Sequence, residues 1–214
     1  MSRKRDVREV IVDTALALAE ERSWESVHLH EVAAEAGLTL EDVRLHFRDK
    51  DDIADAWFDR ADRAMLRAAG APEAAALPSR VRLHRAVMAW LDALAPHRRV
   101  TRQMIRSMLG PGQFHVQLPA LLRIGRTVRW AREAAGCDAV LPRRMLEEAA
   151  TGSVFVSAFV CWLGDGSPAS RRTRRLLDTL LGTRETAVPA PTPRPAPRSA
   201  PPHPAGEHAE PAPD

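Results

Sequence analysis

Apolar residues return every third or fourth position through most of this chain, and each run is cut by glycine or proline. Val7, Val10, Ile11, Thr14, Ala15, Leu18 and Ala19 set the pattern. This spacing lays one apolar stripe along an α-helix, which has about 3.6 residues per turn. No stretch alternates at period two for long, so no strand is expected. Tyrosine is absent and aromatic residues make up 5%, so a core must rest on Leu, Ala, Val and Met. With few β-branched runs, that composition leans towards helix. The expected fold class is all-α.

The breaks divide the chain. A first helix from Val7 ends near Arg22 and Ser23, and Trp24 and Val27 return to the core. A second runs from about Leu29 to Ala36, with Leu29, Val32 and Ala33 inward and Gly37 as its stop. Thr39 caps a third, Leu40 to Phe47, and Thr39-Leu40-Glu41-Asp42 has the form of a capping box. Asp49 caps a fourth, Lys50 to about Ala69, with Ile53, Trp57, Ala61, Ala64 and Met65 on one stripe. Gly70, Ala71 and Pro72 mark a boundary between head and body. Beyond Pro78, Val81, Leu83, Val87, Trp90, Leu91 and Leu94 form a stripe that Pro96 stops. Further helices are expected over Val100 to Leu109, Pro119 to Ala135, Pro142 to Leu163, and from Pro168 to Gly182. Residues 189–214 hold ten of the 17 prolines and no large apolar side chain. Such a tail cannot bury enough surface to offset its ordering entropy, and a disordered extension is expected. The expected units are a head over 1–69, a body over 78–184 and a tail over 185–214.

A short helix, a turn at Gly37 and a second short helix make a helix-turn-helix over residues 28–47. The residues are specific: Ala15, Leu18, Trp24, Val32-Ala33, Ala36-Gly37-Leu38-Thr39, His46-Phe47, Lys50 and Ile53. Residues 7–66 resemble the head domain of TetR-family transcriptional regulators. The resemblance implies a DNA-binding regulator, a repressor, whose partner is double-stranded DNA. It implies an all-helical body that binds a small apolar ligand and forms a homodimer through its last two helices. Carried over residue by residue, it places base or phosphate contacts at Thr39, Leu40, Asp42, Arg44 and His46, and a phosphate contact at Lys50. The chain departs from the family pattern at Glu41, Asp42 and Arg44, where glycine, threonine and tyrosine are usual.

Charge complicates that reading. Residues 1–70 carry 11 Lys/Arg and 16 Asp/Glu, a net of −5, whereas residues 71–188 carry 18 Arg and 9 Asp/Glu, a net of +9. From Glu20 to Asp62 there are 13 acids and 5 bases. Non-specific affinity for duplex comes from cation–phosphate contacts. The cations near a docking face are Arg3, Lys4, Arg5, Arg8, Arg44, Arg48 and Lys50. Carboxylates in a first helical turn suit the helix dipole, yet they compete with phosphate for that end. An acid can also accept a hydrogen bond from a cytosine amino group.

In the body, TGSVFVSAFVCWL (151–163) is apolar nearly all round and too short to span a bilayer, so a core or dimer-interface helix is expected. In 171–181, Thr173, Leu176, Leu177, Leu180 and Leu181 share a face beside Arg171, Arg172, Arg174 and Arg175. That stretch reads as a packed amphipathic helix, or as a peripheral contact with an anionic membrane. Trp162-Leu163, Asp165, Ser167, Thr173, Leu177 and Asp178 carry a second resemblance, to lipid-binding accessory proteins of ubiquinone biosynthesis. It implies the same fold without DNA binding. Met88, Trp90, Met104 and Met108 are candidates for a pocket wall or for plain core.

No catalytic or metal constellation stands out. None of the eight histidines, His28, His30, His203 and His208 included, falls in an H-E-x-x-H or a paired Cys/His set. Ser153 and Ser157 have no base close in sequence. Neither enzyme activity nor a cofactor or metal is expected. Cys137 and Cys161 lack metal-type spacing and read as structural thiols. The charged start MSRKRDVREV lacks the apolar core of a signal peptide, so a cytoplasmic protein is expected.

Overall fold

The computed structural model describes residues 6–108, 125–133 and 143–187. All regular structure among these is helical. The helices are α1 (Val7–Glu21), α2 (Leu29–Glu35), α3 (Leu40–His46), α4 (Lys50–Ala69), α5 (Pro72–Ala75), α6 (Ser79–Leu94), α7 (Arg98–Met108), α8 (125–133), α9 (Arg143–Gly164) and α10 (Arg171–Ala187). The expected helices over 119–124 and 134–135, the basic cluster Arg3, Lys4 and Arg5, Cys137, and the tail from Val188 lie outside the described residues.

Three short helices and the start of a long one build the head. Asp6 caps α1, its carboxylate accepting from the Arg8 amide at 3.0 Å. Ile11, Val12, Ala15, Leu16, Leu18 and Ala19 form its buried face. Gly37 takes φ +67°, the left-handed conformation that lets the Leu38 amide reach the Ala33 carbonyl at 2.9 Å and close α2. Val43 of α3 and Phe47 just after it are buried against this core. Asp49 caps α4 by accepting from the Asp52 amide at 2.9 Å.

Beyond Gly70, which closes α4, the chain stays helical. Pro72 opens the one-turn helix α5, with Pro at the first position, where its missing amide costs nothing. The chain then folds back so that α6 packs along α4. Head and body thus share one contiguous core, with α4 as the common wall. Val81, counted with the α6 stripe, faces solvent instead. Pro96 does not end the helical path: a 3₁₀ turn over Ala95–His97 passes straight into α7.

The last helix also differs from expectation. It begins after the 3₁₀ turn Pro168–Ser170 and runs through Gly182 to Ala187, three residues into the stretch assigned to the tail. A glycine inside a helix costs about 1 kcal/mol relative to alanine, which packing can override. A Cβ at Gly182 would meet the Arg80 guanidinium of α6 at 3.5 Å, an ordinary contact, so the position would also take an alanine. The stripe of α10 is spent inside the body. Thr173, Leu177 and Leu181 are buried against α9 and α6, and Leu176 and Leu180 sit half-buried at its edge. Arg174 pairs with Asp92 of α6 at 2.7 Å. The apolar face expected to meet a membrane is therefore already covered, and Arg171, Arg172 and Arg175 stay exposed. No helix among the described residues is long and apolar enough to cross a membrane.

Candidate nucleic-acid interface

The turn before α3 fixes how the second helix is presented. Thr39 Oγ1 accepts from the Asp42 amide at 3.1 Å, while Asp42 Oδ2 accepts from the Thr39 amide at 2.9 Å and from Thr39 Oγ1 at 2.6 Å. This is a reciprocal capping box. Hydrogen bonds from the Thr39 side chain and amide hold the Asp42 carboxyl below its ordinary range. The sequence places Asp42 among the DNA contacts, but its carboxylate is tied to the cap that orients α3.

Lys50 departs further from expectation. Its ammonium donates to the carbonyls of Trp24 at 3.0 Å, Glu25 at 3.2 Å and Val27 at 3.2 Å. An ammonium has three protons, and all are committed. Burial lowers its pKa, partly opposed by Asp51 and Glu25. The ammonium from which a phosphate contact is expected thus ties the start of α4 to the α1–α2 loop.

Other bases are similarly engaged. Arg8 donates to the His46 carbonyl at 3.2 Å and lies 4.5 Å over the Phe47 ring, pinning the end of α3 to α1. Arg22 pairs with Glu31 at 2.8 Å, Arg48 with Asp52 at 2.9 Å, and Arg60 with Asp13 and Glu9 at 2.6 Å each. Of the five bases between Glu20 and Asp62, Arg44 is the one without a partner among the described residues. It lies exposed on α3.

Around Arg44 the outward face of α3 carries Leu40, Glu41 and Leu45. Leu40 is 52% exposed and Leu45 76%. Residues 40 and 44, and 41 and 45, are four apart and therefore share a face opposite the buried Val43. His46 is exposed at the C-terminal end of α3, and Thr39 is exposed at its start. Of the residues expected at DNA, Leu40, Arg44 and His46 keep side chains free of hydrogen bonds among the described residues. Sequence reasoning weighs Glu41 only as a departure from the family pattern that could accept from cytosine, and passes over Leu45. Their i, i+3 and i+4 relation to Arg44 is the available signal.

Behind the head, α7 touches it at three places. Gln103 Oε1 accepts from the Trp24 amide at 2.7 Å. Glu20 of α1 meets His97 at 3.3 Å and Arg99 at 3.1 Å. The Trp57 indole of α4 donates to Thr101 at 3.0 Å and sets its ring edge-on to His97. The Trp24–Val27 loop is therefore held by α7 on one side and Lys50 on the other.

Of the pocket candidates, Trp90 sits in an aromatic group with Phe58, Phe155 and Phe159, at centroid distances of 6.0, 5.1 and 5.3 Å. Its indole donates to Asp62 at 2.7 Å, and Thr127 of α8 donates to the same oxygen at 3.0 Å. Nearby, Arg132, 5% exposed, donates to Thr151 at 3.3 Å. Met88 and Met104 are buried in the core, and Met108 is half-buried at the end of α7. Sequence reasoning misses Asp62, Thr127, Arg132 and Thr151, because nothing local marks a polar residue as interior.

The residues of the second resemblance form a structural corner. Asp165, 2% exposed, accepts from the Ser167 amide at 2.9 Å and hydroxyl at 2.6 Å, and from the Thr173 amide at 2.9 Å and hydroxyl at 2.8 Å. Burial pushes this carboxyl up, but the four hydrogen bonds outweigh it and hold the group well below the carboxylate range. Trp162 and Leu177 are buried beside it, and Asp178 meets His84 of α6 at 3.3 Å. Among the described residues no cluster of three or more metal-ligating side chains occurs.

No protein-family model matches the sequence, and comparison with curated proteins finds no match. Solved structures do match. A TetR transcriptional regulator from Nitrosomonas europaea is similar at 44% identity and a TM-score of 0.75, over 84% of this chain and 98% of that one. A TetR transcriptional regulator from Rhodococcus sp. RHA1 shares the fold at 20% identity and a TM-score of 0.60, over 84% and 98% of the two chains. A TetR-family regulator from Streptomyces coelicolor does so at 21% identity and a TM-score of 0.59, over 87% and 84%. With 44% identity across nearly all of the Nitrosomonas chain, and with a helix-turn-helix head on an all-helical body, this protein belongs to the TetR family of transcriptional regulators.

Proposed function

We propose that this protein is a homodimeric, DNA-binding repressor that releases its operator when a small apolar ligand enters the body. The observation that carries the reading is the outward face of α3, with Leu40, Glu41 and Arg44 beside a turn rigidly capped by Thr39 and Asp42. A helix so presented can enter the major groove, as the second helix of such motifs does. Contacts come from Leu40, Arg44, His46 and the exposed Thr39, with Lys50 and Asp42 setting the geometry.

The ligand acts through α7. A guest beside Trp90 displaces the helices that pack around it. Any shift of α7 moves the Trp24 amide through Gln103 and α1 through Glu20. That changes the separation of the two heads and their fit to two half-sites. The aromatic group around Trp90 supports an apolar ligand, and Asp62, Thr127 and Thr151 can orient it.

The dimer forms through α9 and α10. The outward side of α9 carries Gly152, Ser153, Val156, Ser157, Val160 and Gly164, with no charge, and Val160 is 62% exposed. Half-buried Leu176 and Leu180 of α10 continue that seam. Two such faces pack as a four-helix bundle.

A DNA footprint on the protein's own upstream region tests the reading. Arg44→Ala should weaken protection and reduce the salt slope by about 0.9 for each phosphate that the arginine neutralises. Equal protection and an equal salt slope in both proteins would remove Arg44 from the interface.

A lipid-binding role without DNA is the second reading, favoured by one observation. Four of the five bases from Glu20 to Asp62 are tied up, against 13 acids. Co-sedimentation with anionic vesicles tests it, with Arg171, Arg172, Arg174 and Arg175 changed together to Glu as control. Vesicle binding abolished in that variant, together with no footprint, would support lipid handling.

A further inference from the structure

The two carboxylates that open α3 have different lives. Asp42 is bound into the cap by both the amide and the hydroxyl of Thr39. Glu41, its neighbour, is exposed and makes no hydrogen bond or ion pair among the described residues. Fixing Asp42 turns Glu41 outward, onto the face that carries Arg44 three residues on and Leu45 four residues on.

That face is chemically sparse. Leu40 and Leu45 are apolar, and Thr39 spends its proton on Asp42. Glu41 is the one carboxylate acceptor on it, and Arg44 the one guanidinium. We propose that Glu41 is a specificity-determining residue that accepts a hydrogen bond from a cytosine amino group in each operator half-site. This inference rests on the DNA-binding reading above.

The choice of cytosine follows from groove chemistry. Two bases offer an amino donor in the major groove, adenine through N6 and cytosine through N4. Adenine sets the N7 acceptor beside N6, where it faces the second oxygen of a carboxylate. Cytosine has no acceptor there. A carboxylate therefore favours cytosine, whereas a glutamine amide satisfies both N6 and N7 of adenine. Guanine and thymine offer no amino donor on this edge, and their acceptors repel Glu41. The same repulsion acts on the phosphates, so Glu41 lowers affinity for every sequence that lacks the matching amino group. A head with one unpartnered arginine on α3 thereby gains selectivity by penalising wrong sites. Arg44, about one helical turn from Glu41, can then donate to the O6 and N7 of a guanine close by in the same groove.

The test is selection from a random duplex pool with the full chain at low salt, for the wild type and for Glu41→Gln. Glu41 is exposed and outside the cap, so the variant should fold as the wild type does, which circular dichroism checks. Wild-type half-sites should show one position restricted to cytosine. Glu41→Gln should shift that position to adenine and leave the other positions in place. On defined duplexes, a cytosine-to-thymine change there should weaken the wild type about tenfold and the variant much less. Enriched sites with the same base preferences in both proteins would overturn the role of Glu41 and leave DNA binding standing. No enrichment by either protein would overturn the DNA-binding reading, and this inference with it.

Discussion

Lys50 offers the sharpest single test of the head, because its two readings predict opposite results. As a strut it donates to the Trp24 and Val27 carbonyls, which are part-buried, and to the Glu25 carbonyl, which is exposed. Lys50→Met keeps the apolar stem and removes the ammonium. A hydrogen bond to a charged group contributes about 1.5–3 kcal/mol net. The Glu25 carbonyl returns to water at little cost, and the ammonium's own desolvation is recovered. The two part-buried carbonyls then set a loss of about 2–3 kcal/mol. For a chain of this size that lowers Tm by about 4–12 °C. The assays are thermal unfolding by circular dichroism and a salt titration of DNA binding. The strut predicts a lower Tm and an unchanged salt slope. An unchanged Tm with a slope smaller by about 0.9 would refute the strut and restore Lys50 as a phosphate contact.

Three further outcomes are expected. Gln103→Ala leaves the Trp24 amide without its acceptor, which should cost about 1–3 kcal/mol and speed hydrogen exchange at Trp24; unchanged exchange would cut the proposed link between α7 and the head. Asp165 has its carboxyl pKa depressed in the folded state, so its contribution is present above the unfolded value, near 3.9, and is lost as pH falls through the folded one. Asp165→Ala should therefore lower Tm at neutral pH and flatten the fall in stability below about pH 4, and a parallel pH profile would deny that role. Val160→Asp places a charge in the proposed dimer seam and should give a monomer by analytical ultracentrifugation, whereas an unchanged dimer would move the interface off that face of α9.

What is legible in the sequence is local. Asp49 and Gly70 bracket α4 at the residues where it begins and ends, because caps and glycine act within a turn of themselves. Gly37 reads as a left-handed stop and takes φ +67°. The same locality explains the failures. Lys50 meets carbonyls 23 to 26 residues away, and a backbone oxygen leaves no mark in the side-chain pattern. Trp90 reads as a pocket candidate, but its bond to Asp62 crosses between helices 28 residues apart. Gly182 reads as a stop, yet its neighbour Arg80 is 102 positions away and reaches it only after folding. Thr39-Leu40-Glu41-Asp42 carries both a capping box and an acidic reading head. The three-dimensional cap assigns Asp42 to the turn and leaves Glu41 outward.

The DNA-binding proposal requires a head this acidic to bind a specific duplex with its bases largely spent on its own architecture. Fluorescence anisotropy with the purified full chain tests it most directly. One labelled duplex comes from the protein's own upstream region, and a shuffled duplex of the same composition serves as control. Salt is raised from low to physiological. Preference for the upstream duplex should persist at physiological salt, with a shallow slope because few cations reach phosphate. Absence of binding to either duplex at the lowest salt would contradict it.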